Sequence, residues 1–102
     1  MRILSCITVA VISVLASTAA NAADIYNGKE IYSLHCETCH GSDGRSIEPG
    51  TPDFSSGESL FVSDSHLMRV LREGVGSMPA YRGLLSDAEI LDVIAYVRTL
   101  QR

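Results

Sequence analysis

Tryptophan is absent from this 102-residue chain, and only 6% of its residues are aromatic. Basic residues are also scarce: eight Lys and Arg stand against twelve Asp and Glu, for a formal charge of −4, and the single lysine is Lys29. That balance excludes a nucleic-acid binder, which needs a basic stripe to displace phosphate counterions. The chain has no internal repeat, no low-complexity tract and no convincing strand alternation. Its length excludes a large enzyme, and a domain of this size needs a staple besides its core. Three cysteines cannot all pair within one monomer. Yet 46% of the residues are apolar and 20% charged, so the composition is that of a folded chain.

Residues 1–22 read as an export signal. Met1-Arg2 is a short positive start, Ile3 to Ala16 is almost wholly apolar, and Ala20-Asn21-Ala22 is an A-x-A cleavage site. Cleavage is expected before Ala23, leaving one domain over 23–102. The apolar run is short for a membrane span, so an uncleaved anchor is the lesser reading. Cys6 lies too near the start of that run for a lipidated cysteine and is discarded with it, which leaves Cys36 and Cys39. Export is expected to place the protein in a bacterial-type periplasm or an equivalent space. Losing Arg2 takes the charge to −5.

Three helices are expected in the remainder. The first starts at Asp24 as N-cap and runs to about Cys36, with Ile25, Gly28, Ile31, Tyr32 and His35 on or near one face. The second spans about Asp64 to Glu73, with Leu67, Met68, Val70 and Leu71 apolar and Gly74 as its stop. The third opens on the capping box Ser86-Asp87-Ala88-Glu89 and carries the stripe Ile90, Val93, Ile94 and Val97, widened by Tyr96 and Leu100. Between Gly41 and Gly57 the chain is rich in Gly, Ser, Pro and Asp, which is loop chemistry. A loop that long in a small domain is expected to wrap around something. The fold class is all-α with long loops.

Cys36-Glu37-Thr38-Cys39-His40 is C-x-x-C-H, the attachment signature of a c-type haem. Two thiols at i and i+3 share one side of a helical turn, so both can bond the two vinyl groups of one haem. His40 follows as the proximal iron ligand. Covalent haem also supplies the core that so short a chain lacks. Three other chemistries compete for the motif. A Cys36–Cys39 disulfide closes a strained loop and leaves His40 without a role. A thioredoxin-like site needs a βαβ setting. Zinc needs a fourth ligand, for which only His35 or His66 is at hand.

The distal ligand is expected to be Met78, in Gly76-Ser77-Met78-Pro79-Ala80-Tyr81. A lone methionine is usually core filler, but this one stands in a Gly/Pro loop between two helices. Soft sulfur prefers ferrous iron and raises the reduction potential. Iron filled on both axial sides suits electron transfer and disfavours binding of oxygen or peroxide. Met68 belongs to a helical stripe and reads as core. His35 reads as structural or surface, and His66 is the rival distal imidazole.

With these features in order, residues 24–101 resemble a small class I cytochrome c, the His/Met-ligated soluble electron carriers. The resemblance rests on Gly28 with Tyr32, on Cys36-x-x-Cys39-His40-Gly41, on Gly74 followed by Met78-Pro79-Ala80-Tyr81, and on the last helix with Tyr96. It implies a compact cytochrome c fold, with long loops wrapped around one covalently bound haem c. It also implies that the Pro52 carbonyl, or in its place Pro49, accepts the Nδ1–H of His40 and orients the ring. The chain departs from mitochondrial cytochrome c in its short span from His40 to Met78. It also lacks a lysine ring and the tryptophan common near a haem propionate. Arg45 or Arg82 could serve the propionates instead, or be ordinary surface charge.

The function expected is a periplasmic single-haem carrier that moves one electron at a time between redox proteins, and not an enzyme. It needs no nucleic acid and no small-molecule substrate, and a monomer suffices. An acidic surface calls for a basic docking patch on a partner. Two alternatives share the motif: a dedicated haem subunit of a periplasmic dehydrogenase or nitrite reductase system, and a haem sensor or small peroxidase with an open distal site.

Overall fold

The computed structural model describes residues 22–102. The signal-sequence reading, including Cys6 and all but the last residue of the cleavage motif, lies outside the described residues.

Among the described residues, four helices and a single 3-10 turn follow one another: α1 (Ile25–His35), α2 (Glu37–His40), the 3-10 turn (Phe54–Ser56), α3 (Asp64–Glu73) and α4 (Asp87–Arg98). No sheet forms among the described residues; two isolated bridges, Val75 to Met78 and Arg82 to Leu85, are the extent of extended pairing.

Each long helix starts where a polar side chain satisfies its free N–H groups. Asp24 accepts from Tyr26 and Asn27 at the head of α1. Ser63 caps α3 by accepting from the His66 N–H. Ser86 and Glu89 exchange side-chain-to-backbone bonds of 3.2 and 3.0 Å and close the capping box of α4.

The frame is the crossing of α1 and α4. Gly28, Ile31 and Tyr32 are buried on α1, and Ile90, Val93, Ile94 and Val97 on α4. Gly28 lets the helices touch: a Cβ placed there would lie 2.0 Å from the Asp92 carbonyl oxygen. One turn on, the rings of Tyr32 and Tyr96 meet edge to face at 5.3 Å, worth roughly 0.5–1.5 kcal/mol beyond their burial. Asp92 ties the start of α1 to α4 by accepting from the Asp24 N–H at 2.7 Å and from Asn27 Nδ2 at 2.9 Å. Leu60 completes the buried cluster with Ile31, Tyr32, Val93 and Val97.

The first helix ends where expected, at His35 with Cys36 as its cap, and the short helix α2 follows. Two details differ from the sequence reading. Ile25 turns outward and is 41% exposed, so it lies outside the face that packs on α4. The long loop contains the 3-10 turn, capped by Asp53, which accepts from the Ser55 N–H at 2.9 Å.

Candidate functional site

Helix α3 is amphipathic, yet none of its residues is buried. Its apolar side chains Leu67, Val70 and Leu71 face a cavity of about 610 Å³, closed on another side by Val93, Ile94 and Val97 of α4. Cys36, Cys39, His40, Pro52 and Met78 line the same cavity, so the residues singled out by the motifs are gathered on one space. Pro49, His35 and His66 line it too; Met68, Arg45 and Arg82 do not. Met68 is half-buried elsewhere on α3. Arg45 lies 3.7 Å from Asp43, and Arg82 lies 3.7 Å from Glu73.

His40, the last residue of α2, is buried. Its Nδ1 lies 3.4 Å from the Pro52 carbonyl oxygen. A carbonyl only accepts, so in this contact Nδ1 carries the proton and Nε2 keeps its lone pair. Desolvation lowers the imidazole's pKa, and the bond to the Pro52 carbonyl works in the opposite direction. The net effect favours a neutral ring, the form that ligates metal. The ring of Phe54 stacks on it, with centroids 4.3 Å apart and planes 11° from parallel. Phe54 went unremarked in the sequence; an aromatic two residues beyond Pro52 was the only signal.

The thiols of Cys36 and Cys39 are unpaired, the first half-buried and the second exposed. Burial pushes the Cys36 thiol up to about 11, so it is protonated at neutral pH. The Tyr32 hydroxyl donates to the Gly41 carbonyl at 2.6 Å and fixes the exit of α2 against α1. Burial raises this phenol well above its ordinary pKa, so it stays a donor.

Met78 is held by its loop. Val75 and Met78 exchange backbone bonds of 3.2 and 2.9 Å across Gly76-Ser77, a tight reversal. The chain then runs back along α3, where the Tyr81 and Arg82 N–H groups donate to the Leu71 and Arg72 carbonyls at 2.9 and 3.2 Å. Those carbonyls belong to the last turn of α3 and have no partner within the helix. Gly74 permits the fold-back: its φ is +75°, and a Cβ would lie 2.6 Å from the Met78 carbonyl oxygen. The Tyr81 hydroxyl reaches across to the His35 carbonyl at 2.9 Å.

The wall fits a haem. One side is a sheet of aliphatic side chains suited to a macrocycle, and its volume lies within the range of about 300–1,000 Å³ usual for cofactor sites. The lining offers three imidazoles, His35, His40 and His66, with the Met78 thioether and the thiols of Cys36 and Cys39. Among the described residues, no group of three or more His, Cys, Asp or Glu side chains is placed to hold a bare metal ion.

Comparison with known proteins agrees. The family model described as "Cytochrome C oxidase, cbb3-type, subunit III" matches residues 23–97. Cytochrome c6 of Synechococcus sp. is 32% identical over 93 residues, covering 89% of this chain and 83% of that protein. The CcoP subunit of the cbb3-type cytochrome c oxidase of Azospirillum brasilense is 34% identical over 91 residues, 82% of this chain but only 30% of that subunit. Among solved structures, cytochrome c6 of the diatom Phaeodactylum tricornutum superposes with a TM-score of 0.62 at 26% identity, covering 76% of this chain and 93% of the other. The c-type cytochrome KustC0563 gives 0.67 at 27% identity, over 74% and 98%. The chain therefore belongs to the small class I c-type cytochromes, which carry electrons on one covalently bound haem c, exchange them with redox-protein partners and are not enzymes.

Proposed function

We propose that this protein is an exported, periplasmic electron carrier in which Cys36 and Cys39 anchor the haem, His40 and Met78 bind its iron, and Pro52 orients His40. The observation that carries the proposal is the convergence of Cys36, Cys39, His40 and Met78 on one aliphatic cavity, with His40 Nδ1 turned to a carbonyl. The bound haem supplies the Fe(III)/Fe(II) couple. The residues do the rest. His40 presents a neutral Nε2, held by Pro52 on one edge and by Phe54 on its face. Met78 presents a soft sulfur, which favours the reduced state and raises the potential. The aliphatic wall of α3 and α4 excludes water, which also favours the lower charge. With His40 and Met78 both available to hold the iron, little would need to rearrange when an electron moves.

The N-terminal sequence supports export, and the acidic balance supports a partner with a basic docking patch. Nothing in the site requires more than one copy, so the carrier acts as a monomer. A second reading, a haem subunit held within an oxidoreductase complex, is favoured by the match to the oxidase subunit family. The free carrier is preferred because the chain covers 83% of the Synechococcus cytochrome c6 but 30% of the CcoP subunit.

The test is an optical spectrum of the protein matured in a periplasm, oxidised and reduced, with and without carbon monoxide. A low-spin spectrum with the weak far-red band of methionine on ferric haem, unchanged by carbon monoxide, is expected. Ready carbon monoxide binding would replace this reading with the sensor or peroxidase. Gel filtration beside its neighbours' products separates the free carrier, which elutes alone, from the subunit. The mass of the mature chain reports cleavage before Ala23.

A further inference from the structure

The cavity wall holds three imidazoles but no carboxylate, lysine or arginine. His40 faces Pro52, and the His35 ring packs edge-on against Tyr81 at 5.8 Å. His66 is placed differently. It stands exposed in the first turn of α3, at the edge of the cavity, with its Nδ1 3.2 Å from a guanidinium nitrogen of Arg69. A guanidinium has no lone pair to offer, so Arg69 donates and Nδ1 accepts. The one proton of a neutral His66 then sits on Nε2. That nitrogen is a hydrogen-bond donor without a lone pair for iron, the reverse of the tautomer that Pro52 sets on His40.

Arg69 is singular in another way. Among the described residues, Arg45 and Arg102 face Asp43, Arg72 faces Asp87, Arg82 faces Glu73 and Arg98 faces Asp64. Arg69 has no carboxylate in reach and contacts His66 instead. A directed N–H therefore stands at the edge of a cavity whose wall carries no formal charge, with the Arg69 cation, itself outside that wall, bonded to the same ring. Haem brings two carboxylates to such a cavity, and a carboxylate is best held by a charge-assisted donor pair.

We infer that Arg69 and the Nε2–H of His66 together hold a propionate carboxylate of the haem. Arg69 supplies the charge and fixes the tautomer; His66 supplies the directed donor from the cavity edge. The assignment replaces Arg45 and Arg82: none of the three arginines is in the cavity wall itself, but Arg45 and Arg82 sit beside carboxylates of their own, whereas Arg69 contacts the lining residue His66. It rests on the haem reading proposed above. His66 is thereby also removed from the contest for the distal position.

The experiment is redox-difference infrared spectroscopy of the haem-loaded protein, with the propionate carboxyls labelled by carbon-13, together with the reduction potential. Arg69→Gln and His66→Phe are expected to shift the labelled carboxylate bands. His66→Gln is expected to restore them, because its amide nitrogen offers a donor near the position of Nε2. Arg69→Gln is also expected to lower the potential, since losing a positive charge beside the haem favours ferric iron. Labelled bands that stay in place in both Arg69→Gln and His66→Phe overturn the inference, even if the potential falls, for the pair would then serve only as a remote charge or a site for a partner's carboxylate. Equal band shifts in Arg45→Gln or Arg82→Gln overturn it as well. A wild-type protein that acquires no covalent haem overturns the underlying haem reading, which is a distinguishable result.

Discussion

The Tyr81 hydroxyl donates to the His35 carbonyl at 2.9 Å, across 46 residues of chain. Tyr81 is three residues beyond Met78, and His35 immediately precedes Cys36. The bond thus ties the loop of the proposed distal ligand to the end of α1, beside the proposed haem anchor Cys36. Tyr81 is buried and its phenol is raised above its ordinary pKa by desolvation, so it remains a donor across the working pH range.

Tyr81→Phe should loosen this tie without opening a cavity. The expected cost is about 1 kcal/mol of stability, with a Met78 sulfur that yields more readily to an added ligand. Titrating the ferric protein with imidazole reads this directly, and the variant should bind it more tightly than wild type. Equal affinities would show that the loop is held by its backbone bonds to α3 alone.

Met78→Ala should open the sixth position while leaving the haem attached through Cys36 and Cys39. Ferrous variant should bind carbon monoxide, and the colour should survive denaturation. If the variant still refuses carbon monoxide, another side chain holds the distal position.

Gly28→Ala should damage the fold more than either change above. A Cβ there has nowhere to go, since the obstacle is the Asp92 backbone and not a flexible side-chain end. Overpacking of this kind costs about 3 kcal/mol, enough to threaten a small domain. The measure is thermal melting of the haem-loaded protein, and a melting point within a degree of wild type would show that α1 and α4 can part at little cost.

Much of this arrangement is legible in the sequence because it is local. The caps Asp24 and Ser86, the box partner Glu89 and the stop Gly74 each act within a few residues of themselves, so three helices can be read to within a residue or two. C-x-x-C-H and Met78-Pro79 are equally local, and the residues they name do line one cavity. What cannot be read is what distant segments impose. The ring of Phe54 lies on His40 because the long loop returns there, and nothing near Phe54 encodes that return. The Tyr32 hydroxyl also donates to the Gly41 carbonyl nine residues on, a tie across the motif that no local pattern encodes. The contact of His66 with Arg69 is local, one turn along α3, but helical spacing alone does not say which ring nitrogen the guanidinium meets.

Ser86→Ala removes one half of the capping box and should cost on the order of 1 kcal/mol. The melting point should fall by several degrees, with the reduction potential unchanged, because the start of α4 lies away from the cavity wall. An unchanged melting point would mean that Glu89 alone satisfies the helix end.

Acid should weaken the protein through a pair that brackets the Met78 loop. Arg72 in the last turn of α3 donates to both carboxylate oxygens of Asp87 in the first turn of α4. The side-chain hydrogen bond from Arg72 holds the Asp87 carboxyl below its ordinary pKa, and the same partner raises the pKa of Arg72. A depressed carboxyl contributes stability that is fully present above its unfolded pKa, near 4, and is lost as pH falls through its folded value. Asp87 is largely exposed and Arg72 about a third exposed, so salt should screen the contribution. Arg72→Gln should therefore be less stable than wild type at pH 6, and the two should converge as the pH is lowered past 4. Denaturant melts of the haem-loaded proteins across that range provide the measure. A difference that persists unchanged into acid would mean that Arg72 acts by packing its stem against the loop, and not by pairing with Asp87.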